Sequence, residues 1–132
     1  SRGLGDVYKR QVIFLGGAND ILQGRRIEDI SRDYKRVLEW CEEKQYSLCV
    51  VLPFISTEQA LNRQLLNLRQ EAEHICGGKA FLLDLQPAIG MDAGARFKAY
   101  VDGIHPKSQT YEAMGSYAAP LIWKWLKNEK EA

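Results

Sequence analysis

The stretch Val12-Ile-Phe-Leu-Gly-Gly-Ala-Asn-Asp20 (VIFLGGAND) sets the frame for the rest of the chain. Its four leading apolar residues run without a polar break, as in a buried parallel strand, and two glycines stop the run. A carboxamide and a carboxylate follow at once. Such a pair serves a tight turn, since both side chains bond nearby backbone readily. It serves equally well as a polar site built at the end of a strand. What else the chain brings to that edge decides between the two.

Downstream, the stretch Asn19–Arg26 reads as a polar loop. Ile27, Ile30, Tyr34, Val37, Leu38 and Cys41 then recur at three- and four-residue spacing, which predicts an amphipathic helix over Ile27–Lys44. Glu28 and Asp29 sit at its favourable N-terminal end. SLCVVLP (Ser47–Pro53) predicts a second buried strand, stopped by its proline. Ser56 to Gln59 has capping-box spacing and opens a helix carrying Ala60, Leu61, Leu65, Leu68, Ala72 and Ile75. Gly77-Gly78 ends that helix, and AFLLDL (Ala80–Leu85) is a third strand. Gln86–Lys107 reads as a long irregular segment. Ser108 is the expected N-cap of a last helix carrying Tyr111, Met114, Ala118, Leu121, Ile122 and Trp125, which Pro120 should kink or split.

Strands that alternate with helices imply a parallel sheet covered on both faces, an α/β, three-layer, doubly wound fold of the flavodoxin-like kind. Such sheets usually have about five strands, so three are few. The deficit leads us to expect further strands N-terminal to Val12. Ser1–Gln11 (SRGLGDVYKRQ) combines basic residues and glycines without periodicity, and we read it as a non-native leader before a domain spanning residues 12–132.

Bulk properties narrow the function. A chain of 132 residues suits one domain, and 45% hydrophobic with 27% charged residues is a globular composition. A formal net charge of +1 gives no footprint for nucleic acid or an acidic membrane surface. No apolar run is long enough to span a bilayer. The three cysteines, Cys41, Cys49 and Cys76, form no C-x-x-C, and we expect buried free thiols. Compartment stays open, because any targeting signal would lie upstream of Val12.

In open α/β sheets, ligands bind outside the carboxyl ends of the strands. Asn19-Asp20 follows the first strand there, and Asp102-Gly-Ile-His105-Pro106 (DGIHP) lies in the loop region after the third. Three residues apart in a tight loop, Asp102 can reach the Nδ1–H of His105 and leave Nε2 free as a base. Gly103 eases the turn and Pro106 stiffens its exit. Asn19 offers an uncharged N–H donor suited to a developing oxyanion. These are parts of an acyl-transfer site without its nucleophile. Asp20 is expected to bond nearby backbone. A divalent-ion site of Asp20, Asp102 and His105 is a lesser alternative without supporting spacing. His74 reads as a solvent-facing residue late in a helix; Trp40, Trp123 and Trp125 read as packing residues, and Arg25-Arg26 as solvated.

The two blocks GGAND and DGIHP resemble signature blocks of the SGNH (GDSL-type) ester hydrolases. The G-x-N-D block of that family is matched by Gly17, Ala18, Asn19 and Asp20, and the D-x-x-H-P block by Asp102, Gly103, Ile104, His105 and Pro106. The resemblance runs from Val12 to about Leu126. It implies an esterase or lipase acting on a small-molecule ester without a cofactor. Asn19 would be an oxyanion-hole donor, His105 the general base, and Asp102 the residue that orients it. The family's G-D-S block with the nucleophilic serine is not found. Gly3–Asp6 (GLGD) has Val7 where the serine would stand and lies too close to the Asn block. Ser31, Ser47, Ser56, Ser108 and Ser116 do not follow a buried strand as a nucleophile elbow would. Two expectations therefore stand side by side: a fragment of a serine ester hydrolase, or a non-catalytic α/β binding module that has lost the nucleophile. Acyl and alcohol specificity and oligomeric state are open on both.

Overall fold

The computed structural model describes residues 10–131, with side chains through Glu129. Three strands, β1 (Gln11–Leu15), β2 (Ser47–Val51) and β3 (Phe81–Leu83), form one parallel sheet in the order β1-β2-β3. Gln11, read above as leader, opens β1, and the Arg10 carbonyl accepts the Ser47 N–H at 2.9 Å. The rest of the expected leader, residues 1–9, lies outside the described residues.

Helices cover both faces. On one, α2 (Ile27–Lys44) and α3 (Gln59–Cys76) bury Ile30, Tyr34, Leu38 and Cys41 together with Leu68, Ala72 and Cys76 against Leu48, Val50 and Leu52. On the other, α6 (Ser108–Glu131) packs Met114, Ala118, Ile122 and Trp125 over Cys49, Val51, Phe81 and Leu83. The Trp125 ring stacks on Phe81 with centroids 5.7 Å apart. Consecutive residues of β2 thus feed opposite cores, as the pleat dictates. The fold is the expected α/β, three-layer arrangement. All three cysteines are buried and free. No helix among the described residues is long and apolar enough to cross a membrane.

The structure corrects several local expectations. The stretch after β1 is not all loop: Ala18–Leu22 forms a short helix, α1. The segment Gln86–Lys107 holds two more, α4 (Gln86–Ile89) and α5 (Ala93–Ala99), each stitched to the core by Ile89 or Ala99. The Ser56 capping box does not form. Helix α3 begins at Gln59, and Ser56 Oγ instead accepts the Glu58 N–H at 3.0 Å and donates to Asn62 Oδ1 at 3.1 Å. Helix α6 continues through Pro120 as one element. Ala118 and Trp125 are buried on either side of the proline, and that packing outweighs one lost backbone bond.

Among the described residues, β1 pairs with β2 alone. Val12 and Phe14 pack into the α2/α3 core, while Ile13 and Leu15 point to the other face, level with Cys49 and Val51. There they stay 55% and 64% exposed, because the α6 layer stops over β2 and β3. An apolar, exposed strand face favours association. We expect the protein to bind a hydrophobic dye, and Ile13→Thr with Leu15→Thr to reduce that signal at a stability cost below about 1 kcal/mol. Leu65→Ala, at a position only 1% exposed, should by contrast cost about 2–5 kcal/mol. Equal costs in chemical denaturation for the two variants would contradict this division between open face and core.

Candidate functional site

Three loops carry the candidate site: one after β1 with Asn19 and Asp20, one after β2, and one between α5 and α6 with Asp102 and His105. The first follows β1. Gly17 has φ 152°, and a Cβ there would stand 3.4 Å from Pro53 Cβ, so glycine suits both the backbone and the close packing. The Gly17 N–H donates to Asp20 Oδ2 at 3.1 Å, which holds the start of α1. Asp20 thus bonds nearby backbone, as expected. Arg25 ties the same carboxylate to its surroundings: its Nη1 reaches Asp20 Oδ1 at 3.1 Å and Asp33 Oδ2 on α2. These two carboxylates raise the pKa of the guanidinium, and Arg25 in turn lowers that of Asp33. Arg25 thus ties α1 to α2 while its side chain stays in part exposed to solvent. Asn19, in the first turn of α1, is exposed, and its carboxamide bonds to nothing among the described residues.

The second loop, residues 52–58, joins β2 to α3. Its backbone is held from several sides. The buried Gln86 accepts the Ile55 N–H at 2.9 Å through Oε1 and donates to Gly90 O at 2.8 Å through Nε2. Tyr100 donates its hydroxyl to Ile55 O at 2.7 Å, and burial pushes its pKa up to about 12. The Asn62 carboxamide closes on Ser56, accepting its N–H at 2.7 Å and donating to its carbonyl at 2.8 Å. At the base of the loop Arg69 pairs in bidentate fashion with Asp84, at 3.1 and 2.6 Å. That pairing lowers the pKa of Asp84, which follows β3.

The third loop carries Asp102 and His105. Val101 N–H bonds to His105 O at 2.8 Å, and Tyr100 and Pro106 form an antiparallel bridge that closes the loop. Asp102 Oδ1 accepts the N–H groups of Ile104 at 2.9 Å and His105 at 2.7 Å. Its Oδ2 lies 2.7 Å from His105 Nδ1. That contact selects the Nδ1–H tautomer and leaves Nε2 as the lone-pair nitrogen. The backbone N–H of His105, its ring, and then the Ile104 N–H hold the Asp102 carboxyl well below the usual carboxylate range. The two side chains are 64% and 52% exposed, for His105 and Asp102 respectively.

The structure brings Asp102 and His105 into direct contact. Asn19 makes no contact with this pair among the described residues; the second loop lies between them in the chain of contacts, with Pro53 against Gly17 and Thr57 bonded to Gly103. Asp20 belongs to the Arg25 clamp, and among the described residues no three His, Cys, Asp or Glu side chains converge as a metal site would require. Among the described residues, the serines lie elsewhere or are engaged. Ser47 donates to Glu129 at 2.6 Å, Ser56 is buried against Asn62, Ser31 is buried on α2, and Ser108 and Ser116 ride on α6. His74 is exposed near the end of α3. Sequence reading missed Arg25, Thr57, Asn62, Gln86 and Tyr100 as supports. For Arg25 a signal existed, an arginine flanked by acidic residues at helix-turn distances.

No family model and no curated protein matches the sequence. Solved structures do match. A GDSL-like lipase from Bacteroides thetaiotaomicron VPI-5482 superposes with a TM-score of 0.73 at 16% identity, over 86% of this chain and 62% of its own. The fold is that of the GDSL-like lipases. A Desulfitobacterium hafniense DCB-2 protein, assigned to the G-D-S-L lipolytic family without an established activity, gives 0.70 at 20% identity, over 83% of this chain and 63% of its own. A Streptococcus pneumonia protein, assigned as a platelet activating factor on the same footing, gives 0.72 at 15%, over 86% and 59%. The chain thus spans about three fifths of the length of these neighbours.

The Asp102 geometry has a pH consequence. Its folded-state pKa is depressed, so the contact is fully present above the ordinary carboxylate pKa of about 4 and is lost as pH falls through the lower folded value. We expect the Asp102 carboxyl carbon to titrate below the ordinary value in an NMR pH series. His105→Ala should keep part of the depression, because the two backbone donors remain. A complete return to the ordinary value in that variant would show that the ring alone causes it.

Proposed function

We propose that Asn19, Asp102 and His105 are the oxyanion and base side of a serine ester hydrolase, with the nucleophile supplied by a segment other than residues 12–132. The observation that carries this reading is the 2.7 Å contact of Asp102 with His105 Nδ1, on a carboxylate already fixed by two backbone donors. A base oriented in that way presents Nε2 to a hydroxyl group. In the reaction His105 Nε2 takes the serine proton as the oxygen attacks the ester carbonyl. The Asn19 carboxamide donates to the oxyanion of the tetrahedral intermediate. His105 returns the proton to the leaving alcohol, and water, activated by the same nitrogen, releases the acid from the acyl-enzyme. Asp102 stays ionised and stabilises the imidazolium. None of these steps calls for a cofactor, and the substrate is a small-molecule ester.

Two measurements test the reading. The 132-residue chain should hydrolyse p-nitrophenyl acetate no faster than its own His105→Ala variant, since Ser31, Ser47, Ser56, Ser108 and Ser116 are engaged or misplaced. In the complete reading frame, hydrolysis should appear together with a serine that a fluorophosphonate labels. There His105→Ala should lower kcat by on the order of 10^6-fold and Asn19→Ala by about 10^2–10^3-fold. A complete, folded protein that neither turns over esters nor takes the label would be a binding module instead. His105-dependent turnover by the 132-residue chain would place the nucleophile within it.

A further inference from the structure

We propose that Thr57 is a positioning residue for the Asp102–His105 pair, acting through the peptide unit between Gly103 and Ile104. Both donors of Thr57 point at one acceptor: its N–H reaches Gly103 O at 3.1 Å and its Oγ1 reaches the same oxygen at 3.2 Å. That carbonyl belongs to a planar peptide group whose other edge is the Ile104 N–H. The Ile104 N–H donates to Asp102 Oδ1 at 2.9 Å. Rotation of this one plane would release the Thr57 bonds and withdraw a donor from Asp102 together. Thr57 holds one edge of the plane, and the catalytic carboxylate leans on the other.

The loop needs such a support. Gly103 has φ 86°, a region glycine enters freely, so nothing in its own backbone resists rotation of the adjoining peptide. The side chains of Asp102 and His105 are more than half exposed, so burial does little to fix them. The ends of the loop are held by the Tyr100–Pro106 bridge and by Lys107 N–H on Ala99 O at 2.9 Å. The tip is held by Thr57. The fit there is close: a Cβ on Gly103 would fall 2.4 Å from Thr57 Oγ1, with Glu58 Oε1 at 3.4 Å. Thr57 also comes from the loop after β2, so it couples the base to the loop that touches Gly17 beside Asn19.

The catalytic meaning of this support rests on the ester-hydrolase reading, but its effect on the imidazole does not, and the test uses the imidazole. The chain has two histidines, so 15N-histidine labelling gives two ring systems, and His74 serves as the internal reference. At a pH where both rings are neutral, His105 should be chiefly the Nδ1–H tautomer in the unmodified chain. Thr57→Val keeps the shape and the amide donor but removes the hydroxyl. It should at least double the Nε2–H fraction of His105 and leave His74 unchanged, while Thr57→Ser restores the original ratio. The ring shifts can be read in solution or, for sedimented protein, by magic-angle spinning. Amide exchange supplies a second readout: Thr57→Val should speed exchange at Ile104 and His105 and leave Val50 and Leu68 protected. An unchanged His105 ratio in Thr57→Val, an equal shift in Thr57→Ser, or faster exchange throughout the core would overturn the proposal. If the ester-hydrolase reading failed, turnover would be absent from the complete protein while the tautomer result stood.

Discussion

Pro53 lies against the backbone of Gly17 on one side of the sheet edge, and four residues later Thr57 bonds to the tip of the Asp102–His105 loop on the other. The segment between them is short, and its peptide groups are engaged by Gln86, Tyr100 and Asn62. Buried backbone donors and acceptors need partners, and here the partners are side chains from three different elements. Each bond satisfies the loop and at the same time fixes the element that supplies it. Strand β2, central and buried on both faces, anchors the segment to the rest of the molecule. Two groups far apart in sequence are thereby referred to one rigid feature, although neither touches the other's loop through any bond described above.

The long elements were legible because their periodicity is strong. Helix α2 begins and ends where the apolar spacing placed it, and Ile30, Tyr34, Leu38 and Cys41 are its buried face. The short helices were not legible. A helix of four to seven residues, such as α4 or α5, has no stability of its own and exists because Ile89, Ala99 and Tyr100 are drawn into the core. Of the two outcomes expected at Pro120, the split does not occur, since packing on both sides of it holds α6 as one element.

Within the candidate site, the contact between Asp102 and His105 was legible because it is local, a spacing of three bracketed by glycine and proline. Its supports were not. Gln86 reaches Ile55 across 31 positions, Tyr100 reaches Ile55 across 45, and Thr57 reaches Gly103 across 46. Contacts of that span leave no mark on spacing, and the residues involved are ordinary polar types. Where such side chains cluster after the strands of a parallel sheet, the strand ends themselves are the only guide.

A general base needs orientation and a dry surrounding, and this chain supplies the two unequally. Orientation is complete: two backbone donors and the ring fix the Asp102 carboxylate, and that carboxylate fixes the ring. Seclusion is not, since both side chains remain more than half exposed. In water-like surroundings an ion pair at this distance is worth little, and preorganised donors gain their full value only where water is excluded. The same edge of the fold ends in β1, where Leu15, the last residue of the strand, is 64% exposed. The solved neighbours of the same fold are longer by chain not covered here. Under the proposed function, catalysis at this pair needs two further things of unlike chemistry. One is a hydroxyl within reach of His105 Nε2, and the other is a surface that excludes water from the pair. The second serves the first, because the oriented donors around Asp102 gain their full value only where water is excluded.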